Sequence, residues 1–240
     1  MLKVGVIGAL GRMGAETCRA IESEDDLQLV ARVGRDDDLA DGLSQGPDVM
    51  VEFSTPDSVF DNCRACIEAG VHVVVGATGL SAENLASLDG AAKTAGVGVF
   101  VAPNFALGAV LMMRFAAEAA RFYDAAEIVE RHHDKKLDAP SGTALRTARV
   151  MVDARGAPFR AVSADEAARG SNDAGVPIHS LRLRGSVAHQ EVLFGAPGEI
   201  LTIKHDSLDR SSFMPGVVLA IRKVPKLSGV TVGLEHLLDD

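Results

Sequence analysis

The first hundred residues alternate between short apolar runs and helix-like stretches, and this alternation limits the fold more than any other feature of the chain. The runs are KVGVIG (3–8), LQLVARV (27–33), DVMVEFS (48–54), HVVVGA (72–77) and VGVFVAP (97–103), with helical patterns at about 11–22, 57–69 and 81–95 between them. Strands apolar on both faces must be covered on both faces. Parallel strands also need crossover connections, so the pattern predicts a parallel sheet between two layers of helices. Several runs end on small or polar residues, at FSTP, GATG and APNF. In an open α/β sheet the crevice beyond the carboxyl ends of the strands is where ligands bind.

From residue 104 the pattern changes. One long apolar helix (about 107–122) leads into a strand, AEIVERHH (126–133), and a second helix spans about 141–154. The stretch SADEAARGSNDAGVP (163–177) has no periodicity and is read as a candidate lid, because compact domains rarely carry so long a loop without a task. The segments 178–194 and 199–208 alternate with a period of two and are predicted to be antiparallel strands joined by the turn GAPG. A last helix, 212–224, is expected to return to the first sheet.

Net charge is -9 and the sequence pI is about 5.3, so overall charge does not draw this chain to nucleic acid or to an anionic membrane. Any anion site must be local. No apolar run is long enough to span a bilayer, and MLKVGVIGALGRMG reads as a strand and glycine loop rather than a leader, so a cytoplasmic protein is expected. Cys63 and Cys66 form a CxxC, but only Cys18 remains elsewhere, too few thiols for a structural zinc site. They are read as small apolar fillers on a helix, without a redox or metal role.

Two stretches carry chemistry. In GVIGALGRMG, Gly8, Gly11 and Gly14 lie after a strand and before a helix, where glycines let the backbone approach a pyrophosphate at a helix N-terminus. Position in the first strand–helix unit favours a dinucleotide over a mere tight turn. The second stretch is ERHHDKKLDAPSGTAL (130–145), a basic knot in an acidic chain. Ser141, Gly142 and Thr143 open a helix behind Pro140, which offers N–H groups and hydroxyls to an anion, or simply an N-cap at Ser141. His132 can supply a proton at neutral pH, and Lys136 a permanent cation. Adjacent histidines on a strand point to opposite faces and no third ligand has suitable spacing, so no metal is expected.

GxxGRMG at 8–14, EFSTP at 52–56, GATG at 76–79, APNFALG at 102–108, HHDKKLDAPSGTA at 132–144, ARGSNDAGVPIHSLRLRG at 168–185 and DSLDRSSFMPG at 206–216 follow one another along nearly the whole chain. In content and order these blocks resemble the dihydrodipicolinate reductases (4-hydroxy-tetrahydrodipicolinate reductases) of bacterial lysine and diaminopimelate synthesis. The resemblance implies a Rossmann-like dinucleotide-binding domain of residues 1–103 and 213–240, with an inserted α+β domain, 104–212, for substrate and tetramer formation. It implies hydride transfer from NADPH or NADH to a cyclic conjugated imine dicarboxylate. His132 is then the proton donor and Lys136 its partner in catalysis and binding, while His133, Ser141, Gly142 and Thr143 hold carboxylate. Arg12, Met13, Phe53, Gly76, Thr78, Ala102, Asn104 and Phe105 join the glycine loop along the cofactor path.

Glu52 stands where the family usually has Asp, and Ala77 where it has Thr. The acidic residue expected about 20 residues beyond the glycine loop, which binds the ribose hydroxyls, is also missing. Gly34 occupies that place and Arg35 follows, a fork suited to a 2′-phosphate, so dual cofactor use tilted toward NADPH is expected. Asp36, Asp37 and Asp38 come next and oppose this tilt if they fold back. Two other readings share the architecture. A homoserine- or aspartate-type dehydrogenase lacks the His-His-x-x-Lys block, and a non-catalytic dinucleotide sensor has no use for a proton donor.

Overall fold

A computed structural model describes residues 1–160 and 169–238. Its strands are β1 (Leu2–Ile7), β2 (Leu27–Val33), β3 (Val49–Glu52), β4 (His72–Val75), β5 (Gly98–Val101), β6 (Ala125–His132), β7 (Ser171–Asp173), β8 (Val176–Arg182), β9 (Ala188–Ala196), β10 (Glu199–Ser207) and β11 (Gly229–Val232). The helices are α1 (Arg12–Glu22), α2 (Leu39–Ser44), α3 (Val59–Glu68), α4 (Ala82–Ala95), α5 (Leu107–Ala120), α6 (Gly142–Arg155) and α7 (Met214–Lys223). They form two compact units, one of Met1–Leu107 with Phe213–Asp240 and one of Gly108–Ser212. Residues 104–107 thus cluster with the first unit, whereas the sequence division assigned them to the second.

The first unit is a six-stranded, wholly parallel sheet in the order β11-β5-β4-β3-β1-β2. Its central strands are sealed on both faces, as the unbroken apolar runs require: Val49, Met50, Val51, Val73, Val74 and Val75 are fully buried. Side chains of α3 and α4, among them Val59, Ile67 and Leu88, close one face, and α1 packs with α7. Burial of each such aliphatic side chain stabilises the fold by roughly 1.5–3 kcal/mol. Cys63 and Cys66 belong to this core. Burial pushes the Cys66 thiol up to about 12 and Cys63 upward as well, so neither is a thiolate nucleophile.

From β1 the chain goes first outward to β2 and then to the other side with β3, β4 and β5. The crevice at the carboxyl ends of β1 and β3 is therefore the topological switch point of the sheet. The short helix α2 and the edge strand β11 were not anticipated. Helix α2 follows an Asp38 cap, whose side chain accepts from Ala40 N, and is too short to show a periodicity.

The second unit is a five-stranded mixed sheet, β10-β9-β6-β8-β7. The run 178–194 is not one antiparallel strand. It breaks into β8 and β9, and β8 lies parallel to β6, because the chain has crossed over through α6 before returning. Of the candidate lid, residues 163–168 lie outside the described residues. Residues 171–177 form instead β7, a tight turn with positive φ at Ala174 and Gly175, and the start of β8. Ala116, Ala120, Ala148 and Met151 of α5 and α6 pack on Ala126, Ile128, Ile178, Val192 and Phe194 of one sheet face.

Candidate active site

In the first unit β1 ends at Gly8 with φ +75, and the loop returns a hydrogen bond from Gly11 N to Gly8 O at 2.9 Å. A Cβ on Gly14 would collide with the Gly8 carbonyl, so glycine there lets α1 begin directly against the strand end. Gly11 is the N-cap and no side chain caps the first turn, which also lacks acidic residues. The helix N-terminus is thus left to an outside anion. A cleft of about 570 Å³ opens there, lined by Gly8, Leu10, Gly11, Gly34, Arg35, Asp37, Phe53, Ser54 and Asn62 among others. A backbone cradle beside a cleft with both apolar and polar walls at the switch point fits a dinucleotide.

Of the expected cofactor residues, the cleft wall brings together Gly8, Gly11, Gly34, Arg35 and Phe53. Gly14 acts from beneath. Gly76 is compelled by aromatic packing, since a Cβ would meet the Phe53 and Phe105 rings, whose centroids lie 5.8 Å apart. Ala102 is buried at the end of β5 and its N–H donates to Val75 O at 3.0 Å. Asn104 accepts from Ala106 N at 2.8 Å through Oδ1. Arg12, Met13 and Thr78 do not line this cleft; Arg12 and Thr78 are exposed.

The acidic run after β2 does fold back. Gly34 N donates to Asp37 Oδ2 at 2.7 Å, and Asp36 and Asp37 share the wall with Arg35. Arg35 forms no ion pair among the described residues, whereas Asp38 is occupied at the α2 cap. Of the far wall, sequence reading had Phe53 and the polar strand end FSTP but not Ser58 or Asn62. Glu52, fully buried at the end of β3, accepts through Oε1 from Ser54 N, Ser54 Oγ and Asn62 Nδ2, and Ser54 Oγ meets Ser58 Oγ at 2.9 Å. Burial pushes the Glu52 carboxyl upward against the lowering effect of these bonds, and Oε2 has no partner. The signal was present as polar residues directly after a sealed strand.

In the second unit the knot is organised by a residue the sequence reading passed over. Ala126, Ile128, Glu130 and His132 alternate onto one face of β6, so Glu130 points into the core side and is fully buried. Its Oε2 lies 2.6 Å from His132 Nδ1 and 3.0 Å from an Arg182 nitrogen; its Oε1 takes bonds from Arg182 Nη2 at 2.9 Å and Ser141 N at 3.2 Å. Burial alone would raise this carboxyl, but hydrogen bonds from His132, Arg182 and Ser180 prevail and bring it down to about 2. Glu130 is an anion throughout the physiological range. A carboxylate inside a period-two apolar pattern was the signal.

The remaining expected residues surround this anchor. Ser141 is buried and its hydroxyl caps α6 by accepting from Ala144 N at 3.2 Å, so that side chain serves the helix. Gly142 is exposed, with open space beyond its Cα, and the first turn of α6 carries no acidic residue. Lys136 pairs with both oxygens of Asp138 at 2.8 Å, an exposed partner that an incoming carboxylate can replace. His133 is exposed at the end of the strand. Among the described residues no cluster of His, Cys, Asp or Glu could hold a metal ion.

A switch-point cleft that fits a dinucleotide, carried in one chain with an imidazole, a lysine and a helix start free of acidic side chains, points to a dinucleotide-dependent oxidoreductase. The family model described as dihydrodipicolinate reductase, N-terminus, matches residues 2–105, and that described as dihydrodipicolinate reductase, C-terminus, matches 108–238. The 4-hydroxy-tetrahydrodipicolinate reductases of Streptomyces coelicolor and Nocardia farcinica are 51% and 49% identical, covering 99% of this chain and 98% and 99% of theirs. A dipicolinate-bound dihydrodipicolinate reductase from Paenisporosarcina sp. TG-14 superposes with a TM-score of 0.89 at 36% identity, covering 99% of this chain and 100% of that one. The chain belongs to the dihydrodipicolinate reductase family, NAD(P)H-dependent oxidoreductases. A probable dehydrogenase from Thermotoga maritima, 15% identical with a TM-score of 0.64, shares the fold. The dehydrogenase and sensor readings give way to the family.

Proposed function

We propose that this chain reduces 4-hydroxy-tetrahydrodipicolinate to tetrahydrodipicolinate in lysine and diaminopimelate synthesis, with the first unit as dinucleotide-binding domain and the second as substrate domain. The bound reduced nicotinamide supplies the hydride. The 4-hydroxyl leaves as water to give the conjugated imine, and His132 then donates a proton to that ring as hydride addition leaves an electron pair on it, so the substrate loses one water and gains two electrons and two hydrogens. Lys136, His133 and the α6 start at Gly142 and Thr143 hold the two carboxylates. The observation that carries this reading is the shared anchor: one carboxylate, Glu130, bonds both His132 and the Ser141 N–H that opens α6. Proton donor and anion mouth are thereby held side by side.

Both nicotinamides are used, with a modest tilt toward NADPH. Arg35, on the cleft wall and unpaired among the described residues, suits a 2′-phosphate, while Asp37 at the Gly34 amide keeps the tilt small. The enzyme works in the cytoplasm, where reduced dinucleotide is regenerated, and assembles as a homotetramer through its second unit. Supporting assembly, Leu181 and Ile200 are exposed on the sheet face opposite α5 and α6.

Pyridine-2,6-dicarboxylate, a planar analogue of the product ring, tests the substrate half-site. It is expected to bind and to compete with substrate, and Thr143→Ala is expected to weaken it about tenfold, the loss of one hydrogen bond to a charged group. Equal affinity for both proteins by calorimetry removes the helix start from the site.

A further inference from the structure

Glu130 makes more bonds inside the substrate half-site than any packing role needs. It is sealed from solvent, yet it sits two residues before the proton donor on the same face of β6. A carboxylate only accepts hydrogen bonds, so the 2.6 Å contact requires His132 to donate from Nδ1. That leaves Nε2 as the nitrogen that exchanges a proton with a ligand. His132 itself is only 15% exposed, so its ring has little freedom to turn.

The second arm runs through Arg182. Its guanidinium grips both Glu130 oxygens and also donates from Nε to Lys136 O at 3.3 Å and from Nη2 to Asp138 O at 2.6 Å. The backbone on which Lys136 stands is therefore fastened to the same carboxylate that fastens His132. Leu183 N donates to His132 O at 2.9 Å and closes the frame from β8. Lysine could not replace this guanidinium, because these acceptors, with Leu181 O as a fifth, need a planar fork.

We infer that Glu130 is a positioning residue of the reductase: it holds His132 in the Nδ1–H tautomer with Nε2 turned to the proton transfer, and through Arg182 it sets the backbone that presents Lys136. This rests on His132 as the proton donor. The arrangement balances simply. When the imidazolium gives its Nε2 proton to the reduced ring it becomes the neutral Nδ1–H imidazole, still bonded to Glu130, and solvent restores the proton.

The test reads the tautomer first. Nitrogen-15 spectra of imidazole-labelled wild-type enzyme are recorded on the alkaline side of the histidine titrations, with the His132 signals assigned by their loss in His132→Gln. A neutral Nδ1–H form of His132 is expected; an Nε2–H form overturns the inference, and this outcome needs no variant of Glu130 to fold. Glu130→Gln is then expected to lower kcat on the order of 10²-fold, with the tautomer preference lost. Arg182→Lys is expected to raise KM for the imine substrate more than it lowers kcat, and to leave the His132 tautomer unchanged. Full kcat in Glu130→Gln overturns the inference even where His132→Gln is inactive, whereas an active His132→Gln enzyme refutes the donor role itself.

Discussion

Glu130 shows how far a single residue's chemistry can be read before its fold is known. His132, Lys136 and the Ser-Gly-Thr start are reactive types in a short span, so residue chemistry alone exposes them. Glu130 looks like an ordinary surface acid until the strand's period-two pattern is followed through it to the buried face. Its pH signature follows from the hydrogen bonds that outweigh this burial. The folded carboxyl is lowered from 4.5 to about 2, so its contribution is present above the unfolded value and is lost as pH falls from about 4.5 toward 2. At neutral pH this linkage is worth on the order of 3 kcal/mol. In urea unfolding, Glu130→Gln is expected to be less stable than wild type at neutral pH, with the gap narrowing below pH of about 4 as the wild-type carboxyl is protonated. A gap that does not change with pH contradicts the ion-pair account.

At the scale of elements, the parallel sheet was legible because strands sealed on both faces read as unbroken apolar runs. The mixed sheet was less so. Nothing in the alternation of 178–194 marks β8 as parallel to β6, because a half-buried strand has the same period in either direction. The loop after β2 was read in part. The missing strand-end carboxylate was seen, but a hydrogen bond from Gly34 N decides where Asp37 goes, and no periodicity reports it. The loop makes a sharp prediction. Arg35→Ala is expected to lower kcat/KM for NADPH about tenfold and to spare NADH, whereas Asp37→Asn is expected to weaken NADH use. Introducing Asp at Gly34 is a poorer probe, since its Cβ would stand 3.0 Å from both Asp37 Oδ2 and Leu10 Cδ1. A wild type that clearly prefers NADH at physiological salt contradicts the role given to Arg35.

At the scale of the whole molecule, the proposed function gives each of the two units one sequence motif and one substrate of the reaction. Leu181 and Ile200 are exposed on the sheet face opposite α5 and α6, and the proposed tetramer would bury this face between copies. Light scattering is expected to give the mass of four chains, and Ile200→Glu to lower it; a single-chain mass for wild type contradicts the assembly. The most direct measurement is turnover itself. Purified enzyme is mixed with reduced dinucleotide while an upstream synthase forms the imine precursor from pyruvate and aspartate semialdehyde, and the near-ultraviolet absorbance of the nicotinamide is followed. Absorbance is predicted to fall only when enzyme, dinucleotide and precursor are all present, and His132→Gln to slow the fall by about 10²–10⁴-fold; oxidation no faster with the wild-type enzyme than without it would contradict the assignment.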